Sequence, residues 1–120
     1  MPDWLTFDAS KARFVGTAPD TAAGAWDLLV TATDTAGALA STLLTIDVAN
    51  LINGNAYNNA IQGTTWRDVI YGLSVADTIA ANDGNDTIVG GSGSDNLSGG
   101  AGDDTFLIDG TDSGYDRFQG

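Results

Sequence analysis

The chain has 120 residues, enough for one domain or two small ones, and a net charge of −12 with only four basic side chains. Such a polyanion is excluded as a partner for nucleic acid or for an anionic membrane surface. With no cysteine and no histidine, disulfides, zinc centres, histidine-assisted Ser or Cys nucleophiles and histidine-ligated haem fall away as well.

All sixteen acids are aspartate, the short-reach acid of turns, which favours a turn-rich β protein over helices. No apolar run approaches the ~20 residues of a membrane-spanning helix, so membrane insertion is not expected. Met1-Pro2-Asp3-Trp4 also lacks the basic-then-apolar pattern of a secretory signal.

Short alternating runs between turn signals fill residues 4–50. Trp4-Leu5-Thr6-Phe7-Asp8 leads through a turn at residues 9–12 into Arg13-Phe14-Val15-Gly16-Thr17, and a loop follows. Residues 26–34 alternate, with Trp26, Leu28, Val30 and Ala32 on one face. Thr35-Ala36-Gly37 turns the chain, and residues 39–48 return with Leu44, Ile46 and Val48 inward and Leu43 half exposed. This is an antiparallel pattern of the β-sandwich kind. Trp4 and Trp26 are expected in its core, and Asp8, Asp20 and Asp34 as turn formers.

From Asn50 onward a different rule holds. Ile52, Ile61, Ile70, Ile79, Ile88, Leu97 and Phe106 recur every nine residues without a gap. The frame around them is clearest in residues 90–107, GGSGSDNLS followed by GGAGDDTFL: Gly at the first, second and fourth places, Asp at the sixth, an apolar residue at the eighth. Gly-rich hexads ending in Asp suit turns and oppose helix, because Gly costs about 1 kcal/mol per helical position relative to Ala. The last three residues of each unit favour extended structure. One unit is then a turn plus a very short strand, and two units make one coil of a solenoid. Residues eighteen apart stack on one wall: Ile52, Ile70, Ile88 and Phe106 face Ile61, Ile79 and Leu97 across a narrow core.

The same spacing stacks carboxylates. Asp68, Asp86 and Asp104 fall along one edge, Asp77 and Asp95 along the other, about one strand spacing (~4.8 Å) from coil to coil. Like charges so close require a counter-ion, and Ca²⁺, which takes six to eight oxygens, suits carboxylates combined with main-chain carbonyls freed by glycine. The candidate ligands are Asp68, Asp77, Asp86, Asp95 and Asp104, with the main chain at Gly84, Gly91, Gly93, Gly100 and Gly102. The competing expectation is that each Asp merely bonds nearby backbone within its turn.

Residues 90–107 resemble the nonapeptide GGxGxDxUx of the RTX, or haemolysin-type, calcium-binding repeats, and the likeness extends over residues 50–118. It implies a parallel β-roll, Ca²⁺ as the cofactor, and a secreted or cell-surface bacterial protein whose following sequence leads to a type I secretion signal. Val75, Trp66 and Tyr57 replace the fourth-place glycine in three units, and Asn59 replaces the Asp in one. Bulky side chains there are expected to block the tight turn, leaving a lead-in coil with few or no ions. WLTFD, RFVGTAPD and VTATDTAGA are similar to phrases of dystroglycan-type, cadherin-like immunoglobulin domains, and cover the second half of that domain.

The expected architecture is therefore all-β: a partial Ig-like sandwich over residues 1–49, then an RTX roll with a capping segment over residues 50–118. Tyr115-Asp116-Arg117-Phe118 resumes the repeat phrase three residues late. Phe118 with Tyr115 is expected to cover the core, and Asp109 or Asp112 to lend an oxygen to an ion at Asp95. The expected function is a calcium-binding structural module that folds on meeting extracellular Ca²⁺. The alternative is an adhesin or polysaccharide-binding fragment, with Trp66 and Tyr57 contacting a cell-surface glycan or protein. Self-association through the incomplete sandwich is a further expectation. Catalysis is not: paired Asp residues can hydrolyse glycosides, but these lie in metal-ligand register without a nucleophile system.

Overall fold

A computed structural model describes residues 1–19, 22–110 and 113–120. The described residues are all-β, without an α-helix, and none forms a helix long and apolar enough to cross a membrane. The chain divides into two compact units, Met1–Val48 and Ala49–Gly120.

In the first unit, β1 (Leu5–Asp8) and β2 (Arg13–Gly16) form one antiparallel hairpin, and β3 (Gly24–Thr33) and β4 (Leu39–Val48) a second, longer one. Phe7 faces Phe14 across the first at 5.1 Å between rings. The second is turned by Asp34, whose Oδ1 accepts the N–H groups of Ala36 and Ala38 at 2.8 Å. Asp8 Oδ1 likewise accepts from the N–H and hydroxyl of Ser10, so both are turn formers as expected; Asp20 lies outside the described residues.

Trp4 and Trp26 meet edge to face at 6.1 Å, and Trp26 Nε1 donates to the Ala22 carbonyl. Burial concentrates at Leu5, Ala22 and Leu28. The expected inward face of β4 is only partly realised: Ile46 and Val48 are half-buried, while Leu44 is exposed along with Leu29, Leu39 and Leu43. A two-stranded ribbon alternates its side chains but buries only those that another layer covers.

The second unit is a parallel roll. Strands β5 (Asn50–Asn53), β7 (Asp68–Ser74), β9 (Thr87–Ser92) and β11 (Thr105–Phe106) form one wall. The opposite wall holds β6 (Ala60–Gln62), β8 (Thr78–Asp83), β10 (Asn96–Ala101) and β12 (Arg117–Gln119). The chain passes from one wall to the other and back, so successive turns alternate between two edges. The register is the one the period dictates: Ile52 pairs with Ile70, Ile70 with Ile88, Ile88 with Phe106, and opposite them Ile61 with Ile79 and Ile79 with Leu97.

Ile70, Ile79, Ile88, Leu97 and Ala81 make the dry centre, with Ile52, Ile61 and Phe106 packed against it. Burying each large aliphatic side chain contributes about 1.5–3 kcal/mol. A core one side chain thick therefore needs its turns held by something else. At the far end Phe118 stacks edge to face on Phe106 at 5.3 Å. Tyr115 does not join it, being 91% exposed, because it occupies the fifth, outward place of its turn.

Candidate metal centre

Strand register carries the aspartates into two files at the edges of the roll. Turns 63–68, 81–86 and 99–104 stack on one edge; turns 54–59, 72–77 and 90–95 stack on the other. Asp68, Asp77, Asp86 and Asp95 are buried, at 0–2% exposure, although each is a carboxylate at the end of a surface turn.

Half of each carboxylate has a plain structural use. One Oδ1 accepts the main-chain N–H of the residue one coil earlier: Asp77 from Asn59, Asp86 from Asp68 and Asp95 from Asp77, each at 2.7 Å, and Asp104 from Asp86 at 3.0 Å. The backbone-bonding expectation is correct to that extent, except that in these four the bond runs between coils and not within a turn. The other half is unaccounted for. Oδ2 of Asp77, Asp86 and Asp95 is buried and has no hydrogen-bond partner. A buried, unpaired carboxylate oxygen is costly.

Burial pushes the Asp86 carboxyl above its ordinary range; the Asp68 N–H pulls it down, and the Asp68 and Asp104 carboxylates push it further up. Asp95 is raised in the same way: burial dominates, the Asp77 N–H opposes it, and Asp116 and Asp77 add repulsion. Three orphaned oxygens in two files of mutually repelling acids are the electrostatics of sites built around a cation.

The main chain supplies the rest of the cradle. The second and fourth places of the turns take positive φ, as at Gly84, Gly91, Gly93, Gly100 and Gly102. At Gly93 a Cβ would run into the Val75 carbonyl of the coil beneath and stand 3.0 Å from the Ala76 nitrogen. Gly102 meets the Gly84 carbonyl in the same manner. The glycines thus let main-chain carbonyls of one coil close on the next.

Among the described residues no three acidic side chains converge on one point. An ion must therefore take most of its oxygens from the main chain, and an all-oxygen donor set without His or Cys fits Ca²⁺ and not a softer metal. The group fits.

The turn at residues 72–77 corrects the expectation that bulky residues abolish the cradle. Leu73 and Val75 adopt φ of 84° and 65°, positive like those of Gly91 and Gly93 stacked on them. A β-branched residue in this region carries strain of about 1–3 kcal/mol. Val75→Gly is therefore expected to raise the thermal midpoint of the Ca²⁺-loaded chain, the relieved strain exceeding the ~0.4–1 kcal/mol cost of glycine's freedom when unfolded. A lower midpoint in calorimetry would show that Val75 is not held there under strain.

The two earlier turns are built differently. Neither Asn55, Tyr57, Thr64 nor Trp66 takes positive φ, and side chains close each turn from within. Asn59 Oδ1 accepts the Asn55 N–H at 2.8 Å. Asp68 Oδ2 accepts the Thr64 N–H at 2.6 Å, and the Thr64 hydroxyl reaches both its oxygens. Asp68 thus has neither oxygen orphaned, which sets it apart from Asp77, Asp86 and Asp95. Tyr57 and Trp66 are exposed but stand on turns of opposite edges, so they do not form one stacking platform.

Sequence spacing missed Asp116. Its Oδ1 accepts the Asp95 N–H at 2.8 Å, the same ladder bond made across twenty-one residues instead of eighteen. Asp109, one of the two acids expected near Asp95, lies on the exposed stretch that leaves the register, and Asp112 is outside the described residues. The cue was available in Tyr115-Asp116-Arg117-Phe118, where an Asp again precedes an apolar residue by two.

Orphaned carboxylate oxygens, glycine-gated carbonyls and a parallel two-walled stack define a calcium-binding β-roll. Residues 53–74 and 71–106 match the RTX calcium-binding nonapeptide repeat (4 copies), and residues 1–49 match the He_PIG Ig domain. The family models thus show RTX nonapeptide repeats, a family of calcium-binding repeats, preceded by an Ig domain. Both families are structural and non-enzymatic, and RTX repeat proteins are typically secreted by bacteria. Neither a curated protein nor a solved structure matches the chain.

Proposed function

We propose that this chain is an extracellular folding module whose roll is completed by Ca²⁺. Asp77, Asp86, Asp95 and Asp104 would hold the ions together with main-chain oxygens at Gly84, Gly91, Gly93, Gly100 and Gly102. The observation that carries this reading is the set of buried, partnerless Oδ2 atoms on Asp77, Asp86 and Asp95. When bound, the ion supplies positive charge and oxygen-coordinating capacity where the fold has concentrated negative charge.

At low Ca²⁺ the acid files repel and the thin core does not compensate, so the roll is unfolded. In a millimolar extracellular medium, sites with dissociation constants of about 10⁻⁴–10⁻³ M fill and the coils order. Binding free energy is then folding free energy. The chain would leave the cell unfolded and become rigid outside it.

The test is a far-UV circular dichroism titration of the whole chain with Ca²⁺, with Mg²⁺ as control. β signal should rise steeply between chelator and millimolar Ca²⁺, and not with Mg²⁺, which demands a tighter octahedron. A spectrum equally β-rich in chelator would overturn the folding switch.

A further inference from the structure

Beyond Phe106 the repeat count fails, yet the chain returns to the stack. The Gly93 N–H donates to the Ser113 carbonyl at 2.7 Å, and Ser113 bridges Ser92 in parallel. Tyr115 N–H donates to Ser94 Oγ at 3.1 Å, the Arg117 N–H donates to the Asp95 carbonyl at 2.8 Å, and Asn96, Leu97 and Ser98 pair with Arg117, Phe118 and Gln119. From Ser113 on, every residue occupies the place of the one twenty-one positions earlier. Three surplus residues are absorbed before the register resumes.

What returns is the part of the unit that matters. Gly114 stands over Gly93 with φ of 114°, and a Cβ there would meet the Gly93 carbonyl and lie 2.6 Å from its carbon. This is the gating contact seen between Gly93 and Val75. Asp116 stands over Asp95. Asp95 itself is 2% exposed, with a buried Oδ2 that no donor reaches. The turn above it therefore repeats both halves of the cradle, the gated carbonyl and the ladder carboxylate. Neither Gly114 nor Asp116 lies in the stretches matched by the repeat family, which end at residue 106.

We propose that residues 113–116 close an additional divalent-cation site with Asp95 and the Gly93 carbonyl, so that an ion staples the irregular terminal coil to the roll. Asp116 is its new ligand, and Gly114 the position that admits it. The site rests on the Ca²⁺-roll reading but makes a separate claim, because a roll ending at Phe106 would bind its ions without it.

Asp116→Asn keeps an Oδ1 to accept the Asp95 N–H and removes the charge, so the fold of the coil is conserved while the ligand is weakened. Asp3→Asn, an exposed acid of the first unit, matches the change in net charge. Ion stoichiometry of the full chain would be measured by equilibrium dialysis against ⁴⁵Ca²⁺, alongside tryptic cleavage at Arg117–Phe118. Wild type and Asp3→Asn should bind the same number of ions, and Asp116→Asn about one fewer. Ca²⁺ should protect the Arg117–Phe118 bond in the first two and not in the third.

Equal stoichiometry and equal protection in all three chains would overturn this site while leaving the roll intact. Absence of Ca²⁺ binding by wild type would overturn both. Should Asp116→Asn lose the circular dichroism signal of the whole roll, Gly114→Ala, which leaves every carboxylate in place, gives the second reading. Loss of one ion there supports the site, and full retention overturns it.

Discussion

Asp86→Ala is expected to be the most damaging single change in the roll, and Asp86→Asn to reverse its sign with Ca²⁺. Alanine deletes the acceptor of the buried Asp68 N–H, a 2.7 Å bond between coils, at a cost of about 1–3 kcal/mol. It also removes a proposed ligand, and at ten times the dissociation constant a bound ion stabilises by about 1.4 kcal/mol. Asparagine keeps an oxygen for the Asp68 N–H and gives up only the charge. In Ca²⁺ that loses the ion. In chelator it removes a buried carboxylate with repelling neighbours on both sides, so the variant should be more stable than wild type. Chemical denaturation in Ca²⁺ and β signal by circular dichroism in chelator decide: an Asp86→Asn chain that matches wild type in both would make the carboxylate a hydrogen-bonding group and nothing more.

The metal-free roll should also prefer acid. Asp86 and Asp95 have folded-state carboxyls raised above the ordinary value of 3.8. Their contribution to stability is fully present below the unfolded value and is lost as pH rises through the raised folded values, because the folded state holds the protons more tightly. In chelator, β signal should therefore grow as pH falls from about 7 towards about 4. Ca²⁺ affinity must move the other way, since proton and ion compete for the same oxygens. A chelated chain that loses β signal steadily on acidification would contradict the burial of these two groups.

The roll was largely legible because a strict period leaves little freedom. Once Ile52 to Phe106 are aligned every nine residues, wall, edge and carboxylate file follow from strand geometry. Legibility failed where a neighbour, and not the residue itself, decides conformation. Val75 looks wrong for a tight turn, yet it takes positive φ beneath Gly93. Asp68 reads like Asp86, but Thr64 four residues before it captures its oxygens, a substitution at an unremarked place in the unit. Asp116 escaped the carboxylate files because three inserted residues break the count while the hydrogen-bond ladder reaches across them. In the first unit, alternation located β3 and β4 but not the exposure of Leu44, which depends on what covers the ribbon and not on its own pattern.

The closed first turns have a consequence for how order spreads. Each coil touches only its neighbours, so the roll behaves as a one-dimensional lattice whose stability is a sum of local and nearest-neighbour terms. Its first sites, where Asn55 serves Asn59 and Thr64 serves Asp68, carry no orphaned oxygen. The later sites do. On the proposed Ca²⁺-folding reading, order would have a fixed starting end and a front, and Ca²⁺ concentration would set how far along the chain that front stands, as temperature sets the height of a column in a thermometer.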